Sequence, residues 1–452
     1  MTNNPVKDIP NYRSIVIPIF LHGDGVAYHQ RDSLMTLSWG SMIAHLASVL
    51  SVFLMACWPK SCTTANTWGP LLKAVCWSLY WLSLGLHPDK DWNNIVWPVG
   101  SREASLAGKP LTSKGYRVFV MGLFGDQEYF SNFLHLPHWQ SRVFCWFCNA
   151  SKQAPADQPQ VPQHLLWNNF TQTARWSKRK LGDDFITAHH HHPYFGLPGV
   201  NIWFVFLDVL HCLDQGYSSH VVGSALKHMI WVDLSHMDKQ AALALVWERI
   251  QRLYVQMKST TRLTNLLLGM IVGDAKKANA RWPTLNAKAA ETRHLVPVLA
   301  MLASEQPFAG PLPFQQHRAQ CLRHLALFYD ICDTEPMFMS QEGCRSCQQH
   351  MGASLSHYYN LEQLAQEAGF VGYHSVPKHH MSLHLAQQSK MVNPRFTWTY
   401  KCEDWVGQVA EMAHSCSFGT TNLQLSHKLF KKYVVGLYLK FSLHLCDDEL
   451  QA

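Results

Sequence analysis

The 452-residue chain is 47% hydrophobic and 15% charged, which supplies apolar matter for a sizeable core and excludes disorder over most of its length. Its formal charge of +7, with 27 histidines counted as neutral, suits a polyanionic partner without singling one out. Thirteen scattered cysteines and an opening stretch, MTNNPVKDIPNYRS, without an apolar run argue against a secreted disulfide scaffold, so reduced thiols in an intracellular compartment are expected.

Taken in chain order, SIVIPIFLHGDG (14–25) reads as a buried strand ending in a Gly-Asp-Gly turn. SLMTLSWGSMIA (33–44) and ASVLSVFLMAC (47–57) are the next two strand candidates. The run 41–58 approaches the length of a membrane span, but His45 and two serines interrupt it and no Lys/Arg asymmetry orients it. A mean hydropathy of −0.11 also favours the strand reading and no membrane partner. Trp68, Leu71, Leu72, Val75, Leu79 and Leu82 fall at helical spacing over 68–86. YRVFVMGLFGD (116–126) then repeats the opening pattern, an apolar strand running into Gly125-Asp126. Residues 150–185 are rich in Gln, Pro, Lys and Arg and read as an exposed linker. From about 200 to 370 apolar residues recur at i, i+3, i+4 and i+7, which predicts a mainly helical body.

Three strands, a helix and a further strand is the order of an RNase H-like fold. The expected architecture is therefore α/β: an RNase H-like mixed sheet over 1–140, a linker and helical insertion over 141–375, and a return to the core over 376–452. Asp24 and Asp126 each follow an apolar strand beside glycine, and Glu403 opens the amphipathic stretch EDWVGQVAEMAHSC. Carboxylates so placed can hold two divalent ions about 3.5–4 Å apart, the arrangement that cleaves and transfers phosphodiesters. Taken singly, each has a plainer reading: Asp24 as a turn residue, Asp126 as a helix N-cap, Glu403 as a first-turn glutamate favoured by the helix dipole.

Their order and surroundings resemble the catalytic region of DDE transposases of the CACTA (En/Spm) type. The likeness rests on HGDG, on GLFGDQEYFSNFLHLPHWQSRVFCWFCNAS, on LDVLHCLDQG and on PKHHMSLHL followed by NPRFTWTYKCEDW. It spans roughly residues 14–440. It implies cut-and-paste DNA cleavage and strand transfer with Mg²⁺ or Mn²⁺ on Asp24, Asp126 and Glu403. It further implies a supporting role for Asp208 and His211, DNA ends and target as partners, a homo-oligomer when active, and a nuclear location. The similarity to the family's His-rich strand places a strand at PKHHMSLHL, and to its Tyr-x-x-Glu motif places Tyr400 before Glu403. Asp404 directly follows Glu403, so the third ligand could shift by one. Only 23 residues precede Asp24, where these enzymes carry a DNA-binding region, which leaves open a fragment or a decayed element. The alternatives are therefore a domesticated relic that binds nucleic acid or protein without chemistry and, further off, a polytopic membrane protein.

Asp208 and His211 lie three apart on an expected helix and share a face, either as site residues or as a hydrogen-bonded core pair. Cys145 and Cys148 have the spacing of half a Zn²⁺ site, with His189–His192 or Cys344/Cys347 as candidates for the other half, or are simply reduced core thiols. RWSKRK contributes Arg175, Lys178, Arg179 and Lys180 as a DNA-backbone contact or nuclear-import signal. Lys428, Lys431 and Lys432 are expected on the helix after Glu403, beside the active site, unless they form an ordinary solvated face.

Overall fold

A run of β-branched, aromatic and other apolar residues makes β1, Val16–His29, the longest strand. The computed structural model describes residues 5–44, 47–148, 150–153, 167–170, 192–273 and 281–451. The Gly-Asp-Gly triplet does not turn. β1 runs straight through it because β2, Asp32–Ser41, pairs antiparallel along that whole stretch, with Asp24 opposite Thr36. β3, Val52–Pro59, pairs antiparallel with β2, and the run weighed as a membrane span thus ends as an edge strand. Among the described residues no helix is long and apolar enough to cross a membrane. β4, Arg117–Phe124, lies parallel to β1 on its other side, so the sheet order is β3-β2-β1-β4.

Parallel pairing needs a crossover, and α1, Trp68–Leu84, supplies it, stopping at Gly85 in the left-handed conformation (φ 69°). Period-two alternation then loads both faces of the sheet. Ile19, Leu21, Leu37, Val120 and Leu123 join α1 and the helical region in one core. Phe20, Leu34, Val52, Leu54 and Phe124 join a second core with α9, Tyr400–Ser417, and α10, Asn422–Gln451. The chain is thus mixed α/β, with helices over both faces of a four-stranded sheet.

Between β4 and α9 lies the helical body that the 3.6-residue period implied. α2, Gln127–Phe133, follows β4 directly. α3, Ser218–His228, is flanked by π-helical turns at Leu210–Tyr217 and Met229–Asp233. α4, Lys239–Gln256, α5, Ala289–Leu302, α6, Pro313–Thr334, and α7, Gln341–Glu367, follow. Among the described residues from 202 to 370 there is no sheet strand; Val205 makes only an isolated bridge to Leu123. The His-rich segment expected as a strand is instead α8, Pro377–Gln388. Pro377 in its first turn has the fixed φ that starts a helix, and burial on nearly every side removes the amphipathic period that would have revealed it. Most of the 150–185 stretch, including Arg175, Lys178, Arg179 and Lys180, lies outside the described residues.

One packing detail aims α2 at β1. A Cβ on Gly23 would stand 2.0 Å from Tyr129 Cε2, and one on Gly125 would stand 2.4 Å from Tyr129 Cδ1. The Tyr129 ring therefore fits where both glycines lack side chains, which fixes the start of α2 against β1. Gly23→Ala is expected to destabilise the protein by about 1–3 kcal/mol, the usual range for overpacking. Gly436→Ala, where nothing lies within 4 Å, is expected to be neutral or stabilising. Thermal unfolding of the two variants checks this; equal melting points would remove the packing role of Gly23.

Candidate metal centres

Two groups of ligand-type side chains converge among the described residues: His22, Asp24 and Glu403, and Cys145, Cys148, His380 and His384. In each group one potential ligand atom per residue lies within 4.8 Å of all the others.

The first group forms where α9 packs on β1. His22 and Asp24 are two apart on a strand and so share a face, and Glu403 comes from the first turn of α9. Asp126 stands at the same end of the neighbouring parallel strand, since His22 pairs with Phe124 and each aspartate lies two residues further on. It is not one of the converging set, and its Oδ1 caps α2 by accepting the Tyr129 amide at 2.6 Å. Its charge nevertheless reaches both Asp24 and Glu403. The expected triad is therefore two converging carboxylates with the third beside them, and His22 is an addition that the sequence did not suggest. Asp404 points elsewhere, accepting Ser48 Oγ at 2.5 Å and Gln408 at 3.0 Å, so Glu403 is the acidic residue turned toward Asp24.

Burial, reinforced by the charges of Glu403 and Asp126, pushes the Asp24 carboxyl up from 3.8 to about 7. Burial likewise raises Glu403, although His211 pulls the other way. His22 is buried with Ser38 Oγ 3.4 Å from its Nδ1, and desolvation lowers it to about 4, leaving a neutral ring. Neutral imidazole and crowded carboxylates are donors that suit a divalent cation.

Asp208 and His211 support this cluster from the π-helical turn. Asp208 precedes that turn and accepts the amides of Leu210 and His211 at its start and Thr399 N at 3.0 Å, which ties the turn to the beginning of α9. His211 Nδ1 lies 2.5 Å from Asp208 Oδ2, and its Nε2 lies 4.0 Å from Glu403 Oε1. Burial alone would lower His211, but the Asp208 hydrogen bond and the charges of Asp208, Glu403 and Asp126 raise it to about 9. An imidazolium thus stands between two carboxylates. Asp214, also unanticipated, is buried and accepts hydrogen bonds from Tyr329 and from Tyr400 at 2.8 Å, the second tying the helical body to α9.

The second group answers the Cys145/Cys148 question. Its other half is neither Cys344/Cys347 nor His192, but His380 and His384, one turn apart on α8. Cys344 instead faces the Ser389 carbonyl, and His192 caps the Tyr194 turn; His189, His190 and His191 lie outside the described residues. Cys148 Sγ lies 3.5 Å from Cys145 Sγ, 3.1 Å from His380 Nε2 and 3.3 Å from His384 Nε2, and the two Nε2 atoms are 3.1 Å apart. His380 Nδ1 faces the Trp167 carbonyl at 3.1 Å and His384 Nδ1 faces Gln387 Oε1 at 2.8 Å. Each ring therefore places its proton on Nδ1 and turns the Nε2 lone pair inward, the tautomer a metal requires. Despite burial, the Cys148 hydrogen bond and the two histidines hold the Cys145 thiol well below its usual range. Two soft sulfurs and two imidazoles match a tetrahedral Zn²⁺ donor set.

The basic residues fare differently. Lys432 donates to Ser415 Oγ and Lys428 to the Phe418 carbonyl and Thr420, at the C-terminal end of α9; Lys431 is exposed on the same helix. Ser415 lies twelve residue steps along α9 from Glu403, about 18 Å at 1.5 Å per residue, so these lysines do not flank the carboxylates. No family model matches the chain, and no curated protein does either.

A carboxyl held near pH 7 in the fold but near 4 in the unfolded chain binds its proton more tightly when folded. Stability therefore falls as pH rises through that window and stays low above it. In chelator-treated protein Asp24→Asn is expected to raise the melting temperature by a few degrees at pH 8 and to change it little at pH 4. An unchanged melting point at pH 8 would show that Asp24 carries no such strain. Purified protein is also expected to carry one equivalent of zinc that Cys148→Ser or His384→Ala removes, together with a loss of several kcal/mol of stability. Zinc content unaffected by either substitution would eliminate the site.

Proposed function

We propose that the chain is the catalytic region of a cut-and-paste DNA transposase of the DDE type, built on an RNase H-like core. The observation that carries the reading is the meeting of Asp24 and Glu403, 379 residues apart, on a β1-α9 contact with Asp126 beside them. The order β3-β2-β1-β4, with β1 antiparallel to β2 and parallel to β4, is the one expected of that core. The helical body between β4 and α9 accounts for the 277 residues separating Asp126 from Glu403.

Asp24, Glu403 and His22 would hold divalent cations, with Asp126 adjacent. When bound, such ions stabilise both the attacking and the leaving oxygen of an in-line phosphoryl displacement. The remaining work falls to the chain's own groups. His211, fixed by Asp208, supplies a positive charge beside Glu403 where a phosphate oxygen would approach. Two clefts meet at Asp126 and Glu128: one reaches Asp24, Lys60 and Trp68, the other His211, His220, Lys378 and Trp139. Each offers a lysine for backbone phosphates and an aromatic ring for a base, so a strand can cross the carboxylates from one cleft to the other. Hydrolysis forms the bond from water oxygen to phosphorus, breaks the P–O3′ bond and releases a 3′-hydroxyl; in strand transfer that hydroxyl's oxygen bonds to the phosphorus of a second phosphodiester, whose own P–O3′ bond breaks to release a 3′-hydroxyl on the target. Cys145, Cys148, His380 and His384 would hold Zn²⁺ as a brace away from the chemistry.

The purified chain is expected to nick supercoiled plasmid with Mn²⁺ or Mg²⁺, faster with Mn²⁺ because imidazole suits a transition metal better. Asp24→Ala and Glu403→Ala should abolish nicking, and His211→Ala or Asp208→Ala should slow it by about 10–100-fold, as is typical of groups that orient ligands. Asp404→Ala should leave the rate unchanged. Parental cleavage by Glu403→Ala protein would sink the assignment.

A further inference from the structure

Outside both clusters, α6 and α7 pack as an antiparallel hairpin and carry four histidines in register. His317 and His324 are seven residues apart on α6, and His350 and His357 are seven apart on α7. A seven-residue repeat keeps both members of each couple on one stripe of their helix. Antiparallel packing then sets His317 against His357 and His324 against His350. The facing Nδ1 atoms are 2.8 Å apart in the first pair and 2.9 Å in the second. His324 also stacks on His357 with ring centroids 5.9 Å apart and planes within 7°, so the four rings form a continuous ladder. All four are half-buried, at the rim of the hairpin and within reach of solvent. Beneath them Cys321, Leu325, Ser354 and Tyr358 are fully buried, which makes the scaffold rigid.

We propose that this ladder is a binding site for borderline divalent transition-metal ions of the Zn²⁺ class, one ion between each facing pair, separate from both clusters described above. A hydrogen bond alone is a poor explanation of the arrangement. When two Nδ1 atoms face each other only one proton can lie between them, and the repeat one heptad away doubles the arrangement. A cation between the rings uses both lone pairs. Tetrahedral Zn²⁺ with Zn–N of 2.0–2.1 Å spaces two nitrogens about 3.3–3.4 Å apart, so each pair need open by only about half an ångström. The rings are also in the right protonation state. Desolvation lowers all four below the usual 6.5, and His357, further depressed by its neighbours His317 and His324, falls to about 4. Among the described residues, Arg323 is the cation that acts on both His324 and His350, and its exposed side chain can turn to water.

The test uses the full chain as purified, with whatever zinc its Cys/His cluster retains, dialysed against free Zn²⁺ and assayed by elemental analysis. The parent is expected to take up two more equivalents than the double variant His317→Gln/His350→Gln, which breaks both pairs. His317→Gln alone should lose one. Metal bound elsewhere on the surface, including at the run 189–192, cancels in the difference. Equal uptake by parent and double variant would overturn the proposal. Should the double variant fail to fold, diethylpyrocarbonate labelling of the parent decides. Zn²⁺ is expected to protect His317, His324, His350 and His357 together, and labelling of these four that is indifferent to Zn²⁺ would overturn the site.

Discussion

Carboxylates gathered on one patch of protein repel each other, and the rest of the site depends on how that repulsion is contained. Burial and mutual charge make ionisation of Asp24 costly enough to hold its carboxyl near pH 7. The His211 imidazolium offsets part of that cost. It stays protonated because Asp208 is itself kept ionised, below the usual range in spite of its burial, by His211 and by the Thr399 amide. The alternation of negative, positive and negative groups from Asp208 through His211 to Glu403 leaves Asp24 as the group whose charge is least compensated. A divalent cation is the natural complement to such a site.

The same groups explain why so long an insertion can lie between two parts of one site. Asp208 accepts the Thr399 amide and Asp214 accepts the Tyr400 hydroxyl, so the first turn of α9 is fastened to the helical body within a few residues of Glu403. The body in turn reaches the sheet through Val205–Leu207. Val205 bridges Leu123 at the end of β4, and the Phe206 amide donates to the Leu123 carbonyl. Loss of one of these buried partners leaves the other polar group without a hydrogen bond, at a cost of about 1–3 kcal/mol, so the geometry at Glu403 is held by more than apolar contact.

Parts of this were legible in the sequence and parts were not, for definite reasons. Asp24 and Asp126 stand out because a long apolar run precedes each, and Glu403 because the helix it opens is amphipathic on one face only. The turn expected at Gly-Asp-Gly follows from that triplet's composition, but pairing to β2 through Gly23, Asp24 and Gly25 overrides the local preference and carries the strand on. His22 carries no signal of its own, being one more residue in a buried strand. His380 and His384 escaped because their partners are more than 230 residues away and because α8 is buried nearly all round, which erases the 3.6-residue period. Lys428, Lys431 and Lys432 were placed on the correct helix but at the wrong end of α9, since spacing along a helix says nothing about the direction in which its neighbour returns.

The Cys/His cluster and the carboxylates are joined by a short path. His380 and His384 lie on α8, whose last residue, Gln388, accepts the Leu207 amide at 3.0 Å and donates to the Val205 carbonyl at 2.8 Å. Four residues after α8, the Val392 side chain enters the second core, and Asn393 donates to the Cys332 and Glu335 carbonyls at the turn between α6 and α7. α9 begins seven residues later. A cation on Cys145, Cys148, His380 and His384 would therefore clamp the segment after α2 to α8, and α8 is already fixed to the segment Val205–Leu207 that pairs beside the end of β4. Asp24 is placed by the sheet itself, whereas Glu403 is placed by α9, which packs on the sheet through the second core and is also fastened through Asn393 and the Asp208 cap. The two carboxylates that meet at the centre thus depend on different parts of the fold, and apolar packing of α9 on the sheet together with its polar ties to the helical body brings the second to the first.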